Sequence, residues 1–593
     1  MMKVTLNKSI FLPILLFILM PFFVSAKEGI SYENIIKIVD DKKLYEEKDW
    51  LYLLHYEGSR SVVDKNSEFF LSSKGHKDPK LEMSETIRAF FDSSKKGDEH
   101  AICSFPARFE YITKNARLDK KLFPSPKCAG YEEFVEKAPL DTAAIVFASE
   151  NNMVPSSIMG HIFVKISGET NGGLREHAFS YFATDFDESS PKVYLDVIFS
   201  SIDGIYALTP YSSKKENYIF YDQRVVWEIE LNLNDEQKSY FHKHLWELKE
   251  KNVRYSFIFH NCGTASVNLF KIVYGGFNMN KVFETPIDYI KKLESDGNIK
   301  SVSLIPSPEY YLKMVRDNYD LIDIYKIRTK SGNLNDKQKY MANLLHNYHE
   351  SMGMAQNDIY KDINKSELDI KEEVKTVLDT NPSSRIYTGY KNYNKDAVEI
   401  EFMPLYQNFY DVSAGYFDDF ETKIANIRLV YDDKVYVDKI DVFTSRSIID
   451  SSLSWGMFSK HIGFSFENAL GVDGFNLKPV LEAGGGYAFS LFNEAVKPYV
   501  LPKLGYRYDH YNNFYVVPEA GLIIKPVEDI KVVLTYEKYF NSKKNNRGFN
   551  ERFTANAAYR LPKNFSLNFK YNKYSGTSLK DDEEFNIGIG LNF

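Results

Sequence analysis

The residues best suited to chemistry lie in His260-Asn261-Cys262-Gly263-Thr264, where an extended run (Tyr255 to Phe259) gives way to a helical one. Asn261 is a good helix N-cap, and Val267, Leu269, Phe270 and Val273 follow at roughly helical spacing. Cys262 then falls in the first turn of a helix. Unpaired backbone N–H groups and the positive end of the helix dipole favour a thiolate over a thiol there. A sulfur nucleophile also needs a base, commonly a histidine on a neighbouring element. His161, His177 and His260 are the candidates. Together these residue types point to acyl transfer through a Cys–His pair.

The elements that must position them can be read from hydrophobic period. In Gly160-His161-Ile162-Phe163-Val164-Lys165-Ile166 the alternation of Ile162, Val164 and Ile166 predicts a strand carrying His161. Ala143 to Ala148 reads as a buried strand, and the small residues Ser156 to Gly160 form a turn before His161. A second strand, His177 to Ala183, follows the hairpin signal Gly172-Gly173 and carries Ser180. Val193 to Ser200 and the cleanly alternating Val225 to Leu231 are further strands, and Asp235 to Lys251 is an amphipathic helix. Histidine-bearing strands thus come first, then a helix, then the cysteine at a helix start. Upstream, residues 28 to about 95 read as mostly helical. Downstream, Thr285-Pro286 and Ser307-Pro308 start helices, and the charged run Asn335 to Leu378 reads as a solvated helical connection.

At 593 residues the chain requires two or three cores. Its net charge of −7 is spread along the chain and no basic stretch occurs, which excludes nucleic acid as a partner. Lys3 and Lys8, an apolar core from Ile10 to Val24, and Val24-Ser25-Ala26 form a secretory signal, so the mature protein is expected to start at residue 27. No cysteine follows that cleavage site, so no lipid anchor is indicated. No later run reaches the roughly 20 apolar residues of a membrane helix. Of three cysteines, Cys103 and Cys128 are close in sequence, lie among turn residues and are expected to pair. Cys262 is then odd, either buried and inert or kept for its reactivity.

From about Arg385 the texture changes. Phe553, Ala555, Ala557, Tyr559 and Leu561 alternate with polar or small residues, as do Phe565, Leu567, Phe569 and Tyr571, and Phe585, Ile587, Ile589, Leu591 and the terminal Phe593. Segments of about ten residues, apolar outward and polar inward, rich in Tyr and Phe and separated by Asn/Asp/Gly/Lys turns, describe a transmembrane antiparallel β-barrel of about 10 to 12 strands. A soluble antiparallel sandwich is the alternative. An even strand number leaves both barrel ends on the periplasmic side, so the Cys–His domain is expected in the periplasm.

Residues 140 to 275 resemble the Lnb N-terminal periplasmic domain family, named for a bacterial lipoprotein N-acyltransferase. The matching elements are Ser157-Ile158-Met159-Gly160-His161-Ile162-Phe163, Pro210-Tyr211, Arg224-Val225-Val226-Trp227-Glu228 and Asn261-Cys262. Trp50-Leu54-His55-Tyr56 and Cys103-Ser104-Phe105-Pro106-Ala107-Arg108 resemble the family's upstream region, and the barrel resembles that of its longer members. More distantly, a His-bearing strand before an Asn-Cys helix start is similar to the permuted papain-like fold of NlpC-type peptidases and lecithin retinol acyltransferase. The resemblance implies an α+β chain: a signal peptide (1–26), a helical region with the disulfide loop (27–140), a papain-like Cys–His domain (141–300), a helical connection (301–384) and an outer-membrane barrel (385–593).

It also implies Cys262 as nucleophile and His161 as base, with His177 or Ser180 as the third member. Asn261 would support the oxyanion beside the Cys262 N–H. The acyl donor is expected to be a phospholipid, the acceptor the N-terminus of an outer-membrane lipoprotein, with no cofactor and no metal. Gly263-Thr264 departs from the retinol acyltransferase pattern, which leaves the substrate class open. The competing readings are a cysteine peptidase or amidase acting on peptidoglycan, and a non-catalytic barrel with a periplasmic binding domain. A zinc site of His161, His177, His260 and Cys262 is a further alternative, although their spacing matches no familiar ligand pattern.

Overall fold

The computed structural model describes residues 31–149, 160–184, 200–256, 260–276, 284–329, 333–354, 360, 377–393, 395–412, 419–451, 458–469, 476–508, 512–542, 549–576 and 582–593. The signal sequence, most of the turn before Gly160 and all but the last residue of the strand expected at Val193 to Ser200 lie outside these residues.

The N-terminal half begins with helices α1 (Tyr32–Asp41), α2 (Lys48–Leu53), α3 (Pro79–Ala89), α4 (Pro106–Ala116) and α5 (Ala129–Lys137). Cys103 and Cys128 are disulfide-bonded, and Cys262 is a buried free thiol. Both bonded cysteines sit at helix positions rather than in a loop, Cys103 within a short helix and Cys128 at the start of α5.

Then comes a seven-stranded sheet: β1 (Thr142–Ala148), β2 (His161–Thr170), β3 (Gly173–Ala183), β4 (Ile202–Pro210), β5 (Val226–Leu231), β6 (Asn252–Tyr255) and β7 (Ile299–Ile305). Its order is β6-β4-β3-β2-β1-β5-β7 and every pair is antiparallel. Strand β7 interrupts the largely helical region expected after Thr285-Pro286: Ile299, Val302 and Leu304 pair along the β5 edge. Helices α6 (Tyr211–Glu216), α7 (Asp235–Leu248), α8 (Cys262–Tyr274) and α9 (Pro286–Ser295) complete the domain. One sheet face, with Ile162, Val164 and Phe179, joins α7, α8 and the N-terminal helices in a single core. The other, with Phe163 and Ala178, is covered by Tyr211 and Ile219.

Helices α10 (Pro308–Asn318), α11 (Leu321–Thr329) and α12 (Asp336–Ser351) form a separate small core around Leu312, Val315, Ile327 and Met341. From Arg385 to Asn592 a closed antiparallel barrel follows. Counting pieces broken at Pro404, Leu501-Pro502, Pro518 and Tyr539 as single strands gives twelve. The first strand (Arg385–Tyr393) pairs with the last (Asp582–Asn592), Arg385 opposite Asn592, so both ends of the barrel lie on one rim. Ile386, Ile587, Ile589, Leu567 and Phe569 point outward and are exposed. The inward positions carry charges in reciprocal pairs: Lys503 reaches Glu519 (2.9 Å) and Glu537 (2.7 Å), and Lys497 and Lys531 share Asp419 at 2.9 Å each. An apolar exterior around a charged interior is the pattern of a membrane barrel and the reverse of a soluble sandwich.

The same rim holds the rest of the chain. Phe409, in the segment after the second strand, is fully buried against Tyr499, with Arg446 and Lys531 over its ring at 5.2 and 5.3 Å. Lys313 of α10 pairs with Glu494 at 3.5 Å, and Ser383 donates to Asp288 of α9.

Candidate active site

Strands β2 and β3 run together from Thr170 opposite Gly173 to Val164 opposite Phe179, and then part. Beyond that point β2 stays paired only with β1, and β3 only with β4. The head of α8 enters this fork. Asn261 caps it, its side-chain oxygen accepting from the N–H groups of Gly263 (2.8 Å) and Thr264 (3.1 Å). Both backbone polar groups of Ile162 go to α8: its carbonyl accepts from Ser266 Oγ at 3.5 Å, and its N–H donates to the Cys262 sulfur. The N–H groups of Gly263 and Cys262 itself also point at the sulfur. Burial pushes the Cys262 thiol up against these contacts and the nearby Arg224.

His161 therefore precedes by one residue the N–H that the sulfur accepts. Its imidazole does not bond the sulfur in this arrangement; it packs on Tyr218 (5.9 Å between centroids) and Phe163 (6.0 Å). Burial, with Lys214 and Arg224 adding, pulls its pKa down to about 3, so the ring is neutral at physiological pH. The pair is a thiol beside a neutral imidazole, not a preformed ion pair.

His177 lies at the other end of the fork. It pairs with Ile166 and Pro210, five residues along β2 from His161 or roughly 16 Å of strand rise, so the structure does not bring these two histidines together. The same separation keeps His161, His177 and Cys262 from meeting as metal ligands. Ser180 is nearer and lies on the His161 face of the sheet; its hydroxyl is buried with no hydrogen-bond partner among the described residues. His260 is held from outside the sheet: Glu57 lies 3.2 Å from its Nδ1 and accepts from Asn268 of α8 at 2.8 Å.

Sequence reasoning gave no role to several residues that surround the sulfur and imidazole. Arg224 is buried, sits 5.4 Å above the Tyr218 ring and 3.3 Å from Asp222, and influences both Cys262 and His161. Tyr181 donates to the Arg254 carbonyl (2.5 Å), and with Tyr218 and Tyr255 walls the sulfur; burial raises all three phenols. Tyr211 donates to Glu228, which also takes Lys165 at 2.8 Å. For Tyr211, Arg224 and Glu228 the signal was their place in the Pro210-Tyr211 and Arg224 to Glu228 motifs; Tyr181, Tyr218 and Tyr255 lie outside both.

Gly160 sets the entry to β2. Its φ of +76° is left-handed, and a Cβ there would meet the Phe147 ring at 2.4 Å and the Ala148 carbonyl at 2.8 Å. Gly160→Ala is expected to destabilise the domain by about 2 kcal/mol and displace His161. A thermal midpoint of tryptophan emission equal to that of the unmodified protein would contradict this.

Comparison with known proteins places these elements. Residues 130–296 match the Lnb N-terminal periplasmic domain model, while residues 42–115 and 379–591 match two domains of unknown function, DUF7843 and DUF7840. A comparison with curated proteins found no match. Among solved structures, the barrel is similar to the KdgM porin (10% identity, 35% of this chain and 99% of that one, TM-score 0.24). It is also similar to the NanC porin (7% identity, 35% and 100%, TM-score 0.25) and to Omp33 of Acinetobacter baumannii (7%, 36% and 100%, TM-score 0.22). Residues 130–296 thus match the Lnb N-terminal periplasmic domain, and from Arg385 the chain forms a closed twelve-stranded barrel with the apolar exterior of an outer-membrane protein.

Proposed function

We propose that the domain is a cysteine-dependent acyltransferase that draws an acyl chain from a membrane phospholipid through a Cys262 thioester. The observation that carries this reading is the placing of the Ile162 and Cys262 N–H groups on the sulfur at the head of α8, beside the strand that bears His161. Donors so arranged also suit the oxyanion of a tetrahedral intermediate. His161, already neutral, accepts the thiol proton as sulfur attacks the ester carbonyl; such contacts commonly tighten only with substrate in place. Collapse expels the glycerol oxygen, which takes the proton back from His161, and leaves the thioester. An amine then attacks the thioester carbonyl and releases the thiol. The N-terminus of an outer-membrane lipoprotein is the acceptor that the family name supports. Ser180, whose hydroxyl is buried with no partner among the described residues, is the residue we assign to orienting His161.

Full-length protein incubated with acyl-labelled phosphatidylethanolamine is expected to carry label on Cys262 that hydroxylamine removes, and Cys262→Ala is expected to carry none. Cleavage of muropeptides without label on Cys262 would replace this reading by the amidase.

A further inference from the structure

The cations around His161 differ from the other buried cations of the domain. Arg108 has Glu82 at 2.7 Å and Glu247 at 3.5 Å, and Lys165 has Glu176 at 2.6 Å and Glu228 at 2.8 Å. Each of these is neutralised by two carboxylates. Lys214, on α6, is partly buried and has no carboxylate partner among the described residues; its ammonium group lies 5.2 Å above the Phe182 ring. Burial lowers its pKa, as expected of a desolvated cation without a counter-ion. Both Lys214 and Arg224 act electrostatically on the His161 ring, and Arg224 and His161 each pack on Tyr218, at 5.4 and 5.9 Å. An ammonium without a carboxylate partner among the described residues and a guanidinium, both acting on one imidazole, suit a bound anion, and a guanidinium suits phosphate oxygens in particular. The adjoining walls, Tyr181, Tyr218 and Tyr255, offer rings to an acyl chain.

We propose that Lys214 and Arg224 bind the phosphodiester of a glycerophospholipid and so set its ester carbonyl against Cys262. The proposal rests on the acyl-transfer reading and adds to it the group by which the donor is recognised. Lys214 supplies an ammonium that no described carboxylate neutralises, and Arg224, steadied by Asp222, the directed donors.

The test reads binding rather than turnover, so that its failure and that of the acyl-transfer reading can be told apart. Full-length Cys262→Ala in detergent is titrated with dihexanoylphosphatidylcholine, with dihexanoylglycerol and with sn-glycerol 3-phosphate. The phospholipid is expected to bind at least about tenfold more tightly than the neutral diacylglycerol. Adding Lys214→Gln should remove that preference and Lys214→Arg should keep it, with tryptophan emission confirming that both variants are folded. Equal affinity for phospholipid and diacylglycerol overturns the proposal, as does a preference that survives Lys214→Gln. Glycerol phosphate binding as tightly as the phospholipid would reduce the site to a free-phosphate pocket and overturn the lipid assignment. A phospholipid preference that Lys214→Gln abolishes, in a protein that never acylates Cys262, would uphold the subsite and sink the transferase.

Discussion

His161→Ala is expected to slow acylation of Cys262 by about 10³-fold or more without unfolding the domain, since general bases contribute typically 10²–10⁴-fold. The electrostatics add a signature to this loss. Burial keeps the imidazole in its base form down to a pH of about 3, and keeps the thiol protonated above its ordinary range. In the unmodified protein, therefore, protonation of the base should not cut the rate as pH falls through the usual histidine range near 6.5. In His161→Ala the rate should instead depend on direct ionisation of the thiol and rise steeply with pH, and added imidazole should restore part of it. A rate that drops around pH 6.5 in the unmodified protein would show that His161 is not the enclosed base described here. Acylation undiminished in His161→Ala would remove it from the mechanism.

The second large effect concerns stability. Arg108 and the carboxylates of Glu82 and Glu247 have no exposed side-chain surface. Arg108 donates to the Phe69 carbonyl at 2.7 Å and lies 4.3 and 4.4 Å from the Phe69 and Phe105 rings. Glu82 accepts from the N–H groups of Leu71 and Ser72, and Glu247 from those of Ala107 and Arg108 at the start of α4. The cluster thus pins α3, α4 and α7 together. Even with Arg108 present, burial pushes Glu247 up to about 7. Arg108→Met leaves two buried carboxylates facing each other and should cost about 3–5 kcal/mol. The emission of Trp50, Trp227 and Trp246, all in this domain, should show a midpoint lower by roughly 10 °C, with the barrel unaffected. An unchanged midpoint would mean that the charges contribute nothing net.

The parts legible in the sequence are those fixed by local pattern. Asn261 as a cap and the alternation around His161 located the helix head and the strand, and the aromatic alternation after Arg385 located the barrel. What stayed hidden depends on non-local register. His177 and Ser180 share β3, and only the point at which β3 leaves β2 decides which of them is near His161. Strand β7 escaped because Lys300, Ser301 and Ser303 dilute its apolar positions, and it needs only one neighbour, β5. Lys214, Tyr218 and Arg224 come from α6, the π-helical turn after it (Asn217–Tyr221) and the link to β5, whose path no periodicity records. Glu57 meets His260 across about two hundred residues of chain, a contact that no spacing rule anticipates.

The bond between Cys103 and Cys128 bears on how the protein is made. Export delivers residues 103 and 128 into the oxidising compartment well before residue 262 arrives. Joining neighbours in order of emergence is therefore sufficient, and no isomerase has to undo a wrong link. By the time the third sulfur crosses, both of its possible scrambling partners within the chain are already spent, and it reaches its place at the helix head still reduced.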